Sequence, residues 1–181
     1  MDNTTENVTL YAMFINDILD NYKNNKSDYV ELFKMIEGYD LSDPYNKVPI
    51  KLYNDLCAWL EANLGKFSLI KIGRQIGETI YTNLVTNKII NENATPIEIM
   101  QSLKKIANEM VQDPKGRGWV ITKNEENKII MKRTQTFNSK LQLGLLDGLI
   151  RKSGVFLVKV DYVKSIERGD EFDEYLISWS K

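Results

Sequence analysis

The chain contains no histidine and only one cysteine, Cys57. Without histidine there is no Ser-His or Cys-His nucleophile pair, no histidine-ligated zinc and no histidine-ligated heme. With one cysteine there is no intramolecular disulfide and no thiolate metal cluster. An excess of one charge is missing too. Lys plus Arg number 24 and Asp plus Glu 25, a net charge of −1. The basic pairs Lys104-Lys105, Lys132-Arg133 and Arg151-Lys152 are isolated and have acids nearby. This argues against nucleic-acid binding, which needs a clustered basic face. No apolar run reaches the length of a membrane span. Residues 1–7 are polar, with neither the basic start nor the apolar core of a signal peptide. The expected home is therefore the cytoplasm. No acid/base pair or partnered nucleophile can be named, so the expectation is a non-enzyme with no catalytic residue, metal or cofactor.

What the chain does have is a long helix with two glycines. In residues 68–86, Leu69, Ile72, Ile76, Ile80 and Leu84 recur at spacings of three and four, one apolar stripe of a 3.6-residue period. Gly73 and Gly77 lie four apart, each just after an isoleucine of that stripe. Each costs about 1 kcal/mol against alanine inside a helix, so something must come close to the backbone there. A neighbouring helix or sheet would explain it; so would a ligand lying across the glycine face.

The 181 residues suffice for one domain with a full core. We expect a domain over 1–181, helical in 1–48 and built of helices and antiparallel sheet in 49–181. Residues 6–22 carry Leu10, Met13, Phe14, Ile18 and Tyr22 at helical spacing. Ser27 suits the N-cap of a second helix, with Gly38 as its stop. Residues 40–48 read as a loop. Pro49 suits the first turn of a third helix, striped by Tyr53, Leu56, Cys57, Leu60 and Leu64 and ended by Gly65. Cys57 lies on that stripe and reads as a small core residue.

After the glycine helix, Thr95, Pro96 and Glu98 form a capping box for a helix over 95–110. The period then falls to 2. Trp119 and Ile121 begin one strand, and residues 128–136 return as its hairpin partner. Residues 115–118, Lys-Gly-Arg-Gly, run from helix to strand and lack a phosphate-loop pattern. Residues 139–153 are helical again, with Gly144 and Gly148 repeating the four-residue glycine spacing. Strands over 155–165 and 172–179 close the chain. Asp170, Glu171, Asp173 and Glu174 lack calcium-loop spacing and read as a solvated turn. The fold class is α+β: N-terminal helices, a β-hairpin, a helix and a second β-hairpin, with an antiparallel sheet packed on helices.

Residues 69–77, Leu-Ile-Lys-Ile-Gly-Arg-Gln-Ile-Gly, resemble the early helix of TRAPP vesicle-tethering subunits and of 4-vinyl-reductase-type ligand-binding domains. Residues 143–149, Leu-Gly-Leu-Leu-Asp-Gly-Leu, resemble their second glycine-bearing helix. The close, a strand, Gly169-Asp170-Glu171 and a strand ending at Trp179, fits as well. The first third is more similar to the helical start of heme nitric-oxide-binding (H-NOX) domains. Taken together, the chain resembles a heme-free, H-NOX-like bacterial member of that superfamily. The resemblance implies a sensory domain, yet three of its site features are missing. There is no proximal histidine, no Tyr-x-Ser-x-Arg porphyrin clamp in residues 131–136, and no cysteine in residues 87–94 to carry the acyl chain of one TRAPP type.

The functional expectation is therefore regulatory: a small apolar or aromatic ligand, bound without heme between the glycine helices and the sheet. Gly73, Gly77, Gly144 and Gly148 would let it approach, and Tyr81, Trp119 and Met131 would wall it. The alternative is a ligand-free, dimeric interaction scaffold resembling TRAPP subunits. Either way a protein partner is expected, and a homodimer that pairs through its helices.

Overall fold

The computed structural model describes residues 4–133 and 137–180. Among them lie six α-helices and seven strands. A short strand, β1 (Thr9–Tyr11), precedes α1 (Met13–Leu19). A 3-10 turn over Lys23–Asp28 leads into α2 (Val30–Lys34). Then come β2 (Lys47–Pro49), α3 (Ile50–Leu64) and α4 (Lys66–Thr86). α5 (Pro96–Met110) runs directly into β3 (Val111–Gln112). β4 (Trp119–Glu125) and β5 (Lys128–Arg133) form the first hairpin. α6 (Ser139–Arg151), β6 (Phe156–Lys164) and β7 (Glu174–Ser180) complete the chain. The class is α+β, as the patterning predicts.

The described residues form two antiparallel sheets. The larger has the order β4-β5-β7-β6. Its inner face carries Trp119, Ile129, Met131, Val158, Val160, Tyr175 and Ile177, all buried. α6 packs against it through β6 and β7, and α5 lies beside β4. The smaller sheet, β2-β1-β3, places Leu10 opposite both Val48 and Val111. It ties the N-terminal segment to the start of α3 and the end of α5.

That smaller sheet corrects the sequence reading in three places. The expected helix over 6–22 gives up residues 9–11 to a strand. The expected loop over 40–48 contains the start of another. Pro49, expected inside the first turn of α3, is instead its extended N-cap, at φ −61° and ψ 136°. Strands of two or three residues are too short to show a period of 2. Ser27 does not cap α2 either; its hydroxyl bonds Asp28, and the N-cap is Tyr29. β6 departs from strict alternation as well. Its pairing with β7 shifts register between Phe156 and Lys159, and Leu157 there takes φ +49° and is exposed.

Other boundaries follow the chemistry that predicts them. Thr95 and Glu98 make the reciprocal capping box of α5. Gly65, at φ +80°, makes the corner between α3 and α4. Residues 134–136, where the second hairpin strand and the porphyrin clamp are expected to end, lie outside the described residues.

Candidate functional site

α4 and α6 cross with no side chain between their backbones. A Cβ built on Gly73 would strike the carbonyl oxygen of Leu141, and one on Gly77 that of Leu145. The relation is reciprocal. Gly144 sits under the carbonyl of Ile70, and Gly148 under that of Arg74. All four approaches are closer than 3.0 Å, a distance real Cβ atoms essentially never show. The partners advance together along both helices, so α4 and α6 run parallel. Backbone contact this close brings Cα–H groups onto carbonyl oxygens, worth about 0.5–1 kcal/mol each. Arg74 and Arg151 both donate through Nε to the Asp147 carboxylate, and so fasten the rim of the crossing. The glycine face is thus filled by the opposing helix.

The three large residues predicted with the glycines go to two places. Tyr81 is buried and spends its hydroxyl on the carbonyl of Glu92, at 2.8 Å. It pins the connection between α4 and α5. Trp119 and Met131 share the inner face of the large sheet. Met131 pairs in register with both Ile121 and Tyr175, and Trp119 packs at a tilt against Tyr175 with ring centroids 5.8 Å apart.

These two belong to an aromatic layer between the helices and the sheet. Tyr162 meets Tyr175 at 5.2 Å, while Tyr53 of α3 meets Phe137 edge-on at 5.3 Å. Phe14 of α1 reaches Phe137 at 6.4 Å. Burial raises the phenols of Tyr53 and Tyr175 well above their usual range. Cys57, one turn after Tyr53, is fully buried, and its thiol is pushed up first by burial and then by Glu61.

A buried ion pair lies in this layer. The Arg133 guanidinium bonds the Asp173 carboxylate through Nη2 and the Phe137 carbonyl through Nη1. Asp173 is fully buried and also accepts from Ser139 Oγ at 2.9 Å and from the Ile166 amide at 3.0 Å. Tyr175 donates to the Ser139 carbonyl at 3.1 Å. The network joins β5, β7 and the start of α6. Arg133 Nε is the exception. It is buried and has no hydrogen-bond partner among the described residues. Asp173 therefore corrects the solvated-turn reading of the acids at 170–174. Its burial is set by a partner 40 residues away, which no local pattern reveals. Arg133 had a signal, because it falls in phase with inward-facing Ile129 and Met131.

Among the described residues, no group of three His, Cys, Asp or Glu side chains could hold a metal ion. No helix among them is long and apolar enough to cross a membrane.

No family model and no curated protein matches the sequence. Solved structures do. An H-NOX protein from S. oneidensis in the Fe(II)NO state superposes with a TM-score of 0.70, covering 95% of this chain and 100% of that one, at 11% identity. The fold is that of H-NOX domains. Fe(II) unliganded H-NOX protein from K. algicida gives 0.66 at 14% identity over 95% and 97%. A trafficking protein particle complex subunit 3 from Naegleria fowleri, covalently bound to palmitic acid, gives 0.54 at 13% identity over 72% and 92%. The superfamily resemblance seen in the glycine helices thus holds at the level of fold. Heme itself does not suit the residues found here. This chain has that fold but no histidine, and its one thiol is buried and held protonated.

Proposed function

We propose that this chain is a heme-free, non-catalytic regulatory domain of the H-NOX fold. It takes a small apolar or aromatic molecule into the aromatic layer and acts in the cytoplasm through contacts with another protein. The observation that carries the ligand reading is Arg133 Nε, a buried donor with no partner among the described residues. Leaving such a donor unmade costs about 1–3 kcal/mol. An aromatic molecule bearing one acceptor oxygen answers both the donor and its surroundings. Trp119 and Met131 would wall it, with Tyr53, Phe137 and Tyr175. The four glycines would act indirectly, by holding α6 and hence Ser139 in place.

The heme-free part rests on the absent histidine. The palmitoyl route of the trafficking subunit finds no cysteine in residues 87–94. The test is twofold. Protein purified natively and then denatured should release a small aromatic molecule detectable by mass spectrometry. A panel of aromatic ketones and aldehydes should raise the melting temperature of the wild type but not of Arg133→Met. No released molecule and no shift with any probe would refute the ligand reading.

A second reading, a ligand-free dimeric scaffold, is supported by the corner between α3 and α4. Leu64 and Phe67 are both exposed there, Phe67 by 75%. That apolar corner supports a homodimer paired through its helices. Light scattering should give twice the 21.0 kDa chain mass, and Phe67→Glu should halve it. A wild-type mass of 21.0 kDa would refute the homodimer.

A further inference from the structure

The flank of α5 is the opposite of the glycine crossing. An open groove of about 570 Å³ runs between α5 and β4. Its floor is apolar, made by Ile97 and Ile121, and its walls carry Lys104, Lys105, Gln101 and Asn108. A second groove of about 380 Å³ lies next to it along α5 and shares Gln101 and Lys105 with the first. Lys105 therefore stands between the two hollows, and Lys104 beside the first.

Their charge meets no acid in an ion pair among the described residues, whereas Lys23, Lys51, Lys123, Lys140 and Lys159 all form one. Among the described residues no acid lines the first groove, and Glu98 is the only one that lines the second. It is already engaged, accepting from the amide of Thr95 at 2.8 Å and from its hydroxyl at 2.7 Å. The groove thus has an uncompensated positive rim over an apolar floor, on a chain whose net charge is −1.

Its shape selects among anionic partners. The stretch of α5 from Ile97 to Asn108 spans about 17 Å at the helical rise, the length of about five extended residues. β4 is an edge strand of its sheet, so one side of its backbone has no strand beside it. A groove between a helix and an edge strand suits an extended chain, with alternate side chains entering the floor.

We propose that the α5–β4 groove docks an extended acidic segment of a partner protein. Carboxylates of the segment meet Lys104 and Lys105, and alternate apolar side chains cover Ile97 and Ile121. The proposal stands whether or not the aromatic layer takes a ligand.

The test uses the full chain and a fluorescein-labelled, end-capped peptide of about eight residues that alternates glutamate with leucine, long enough to overrun the groove. Fluorescence polarisation should show saturable binding that weakens with added salt. Two partly desolvated charge pairs lost together should weaken it about tenfold in the Lys104→Glu/Lys105→Glu variant. Lys152→Glu, an exposed reversal away from the groove, should leave binding unchanged, and a lysine–leucine peptide should not bind. Both lysines are exposed, so the double variant keeps its fold, which circular dichroism checks. Absent binding by the wild type, or equal binding by the double variant, would overturn the proposal. So would tighter binding of a single-stranded DNA of equal charge through the same two lysines.

Discussion

α6 and α5 both lie against the large sheet, but they are held in contrary ways. α6 has its glycine backbone pressed onto α4, its N-cap filled by Asn138 and its first turn fastened to buried Asp173. α5 buries one stripe, Ile99, Met100 and Leu103, and leaves the opposite face open, with two lysines beside a groove that form no ion pair among the described residues. One helix is fixed by backbone shape and buried charge, the other by a cap and an apolar stripe. A helix that is locked on every side serves as a scaffold, while one with an unanswered face is available for recognition.

Removing the buried carboxylate should show that contrast most strongly. Asp173→Ala leaves Arg133 buried and unpaired and strips an acceptor from Ser139 and from the Ile166 amide. Breaking one side of a buried pair costs about 3–5 kcal/mol, to be read by chemical denaturation. A loss no larger than that of a surface change would mean that water reaches the site.

The crossing comes next. Gly77→Leu or Gly148→Leu should destabilise by about 1–3 kcal/mol or more through overpacking. Alanine at either position should also destabilise. Its Cβ meets a backbone carbonyl that cannot rotate away, which outweighs a helix-propensity gain of about 1 kcal/mol. On the open helix, Gln101→Leu should fall within about 0.5 kcal/mol of wild type. Equal effects on the two helices would erase the distinction drawn between them.

The cap of α5 should give a smaller change. Thr95→Ala removes one half of the capping box and should cost about 1 kcal/mol. An unchanged melting temperature would show that the apolar stripe alone fixes this helix.

Asp17 of α1 gives the pH-dependent case. Burial, with Asp20 second, raises its carboxyl from 3.8 to about 6. The folded state therefore holds the proton more tightly than the unfolded chain. Asp17 costs nothing extra below pH 3.8, where it is protonated in both states, and its penalty grows as pH rises to about 6. Asp17→Asn should be more stable than wild type above pH 6 and lose that advantage near pH 4. A difference that is flat with pH would place Asp17 in solvent.

How much of this was visible in the sequence depends on what each feature needs. The stripes of α3 to α6 extend over three or more turns, and the spaced glycines are unusual in a helix, so both were legible. The fold resemblance was read from those same glycines. Leu10, Met13, Phe14 and Ile18 fit a helical period, so the strand at 9–11 was concealed inside a helical pattern. It exists because β2 and β3 lie on either side of it, from 38 and 101 residues away at Leu10. Asp173 looked like one acid among four, since only its distant partner Arg133 distinguishes it. The α5 groove needs β4 folded alongside, and Lys104-Lys105 alone reads as an ordinary solvated pair.

The most direct measurement is a hemin titration of the full chain, followed by visible absorbance. No sharp Soret band should appear at one heme per chain, because no histidine is present and Cys57 is buried with its thiol held protonated. A sharp, saturating band at one heme per chain would contradict it. It would mean that the aromatic layer opens to take the porphyrin and that Cys57 or a tyrosine ligates the iron.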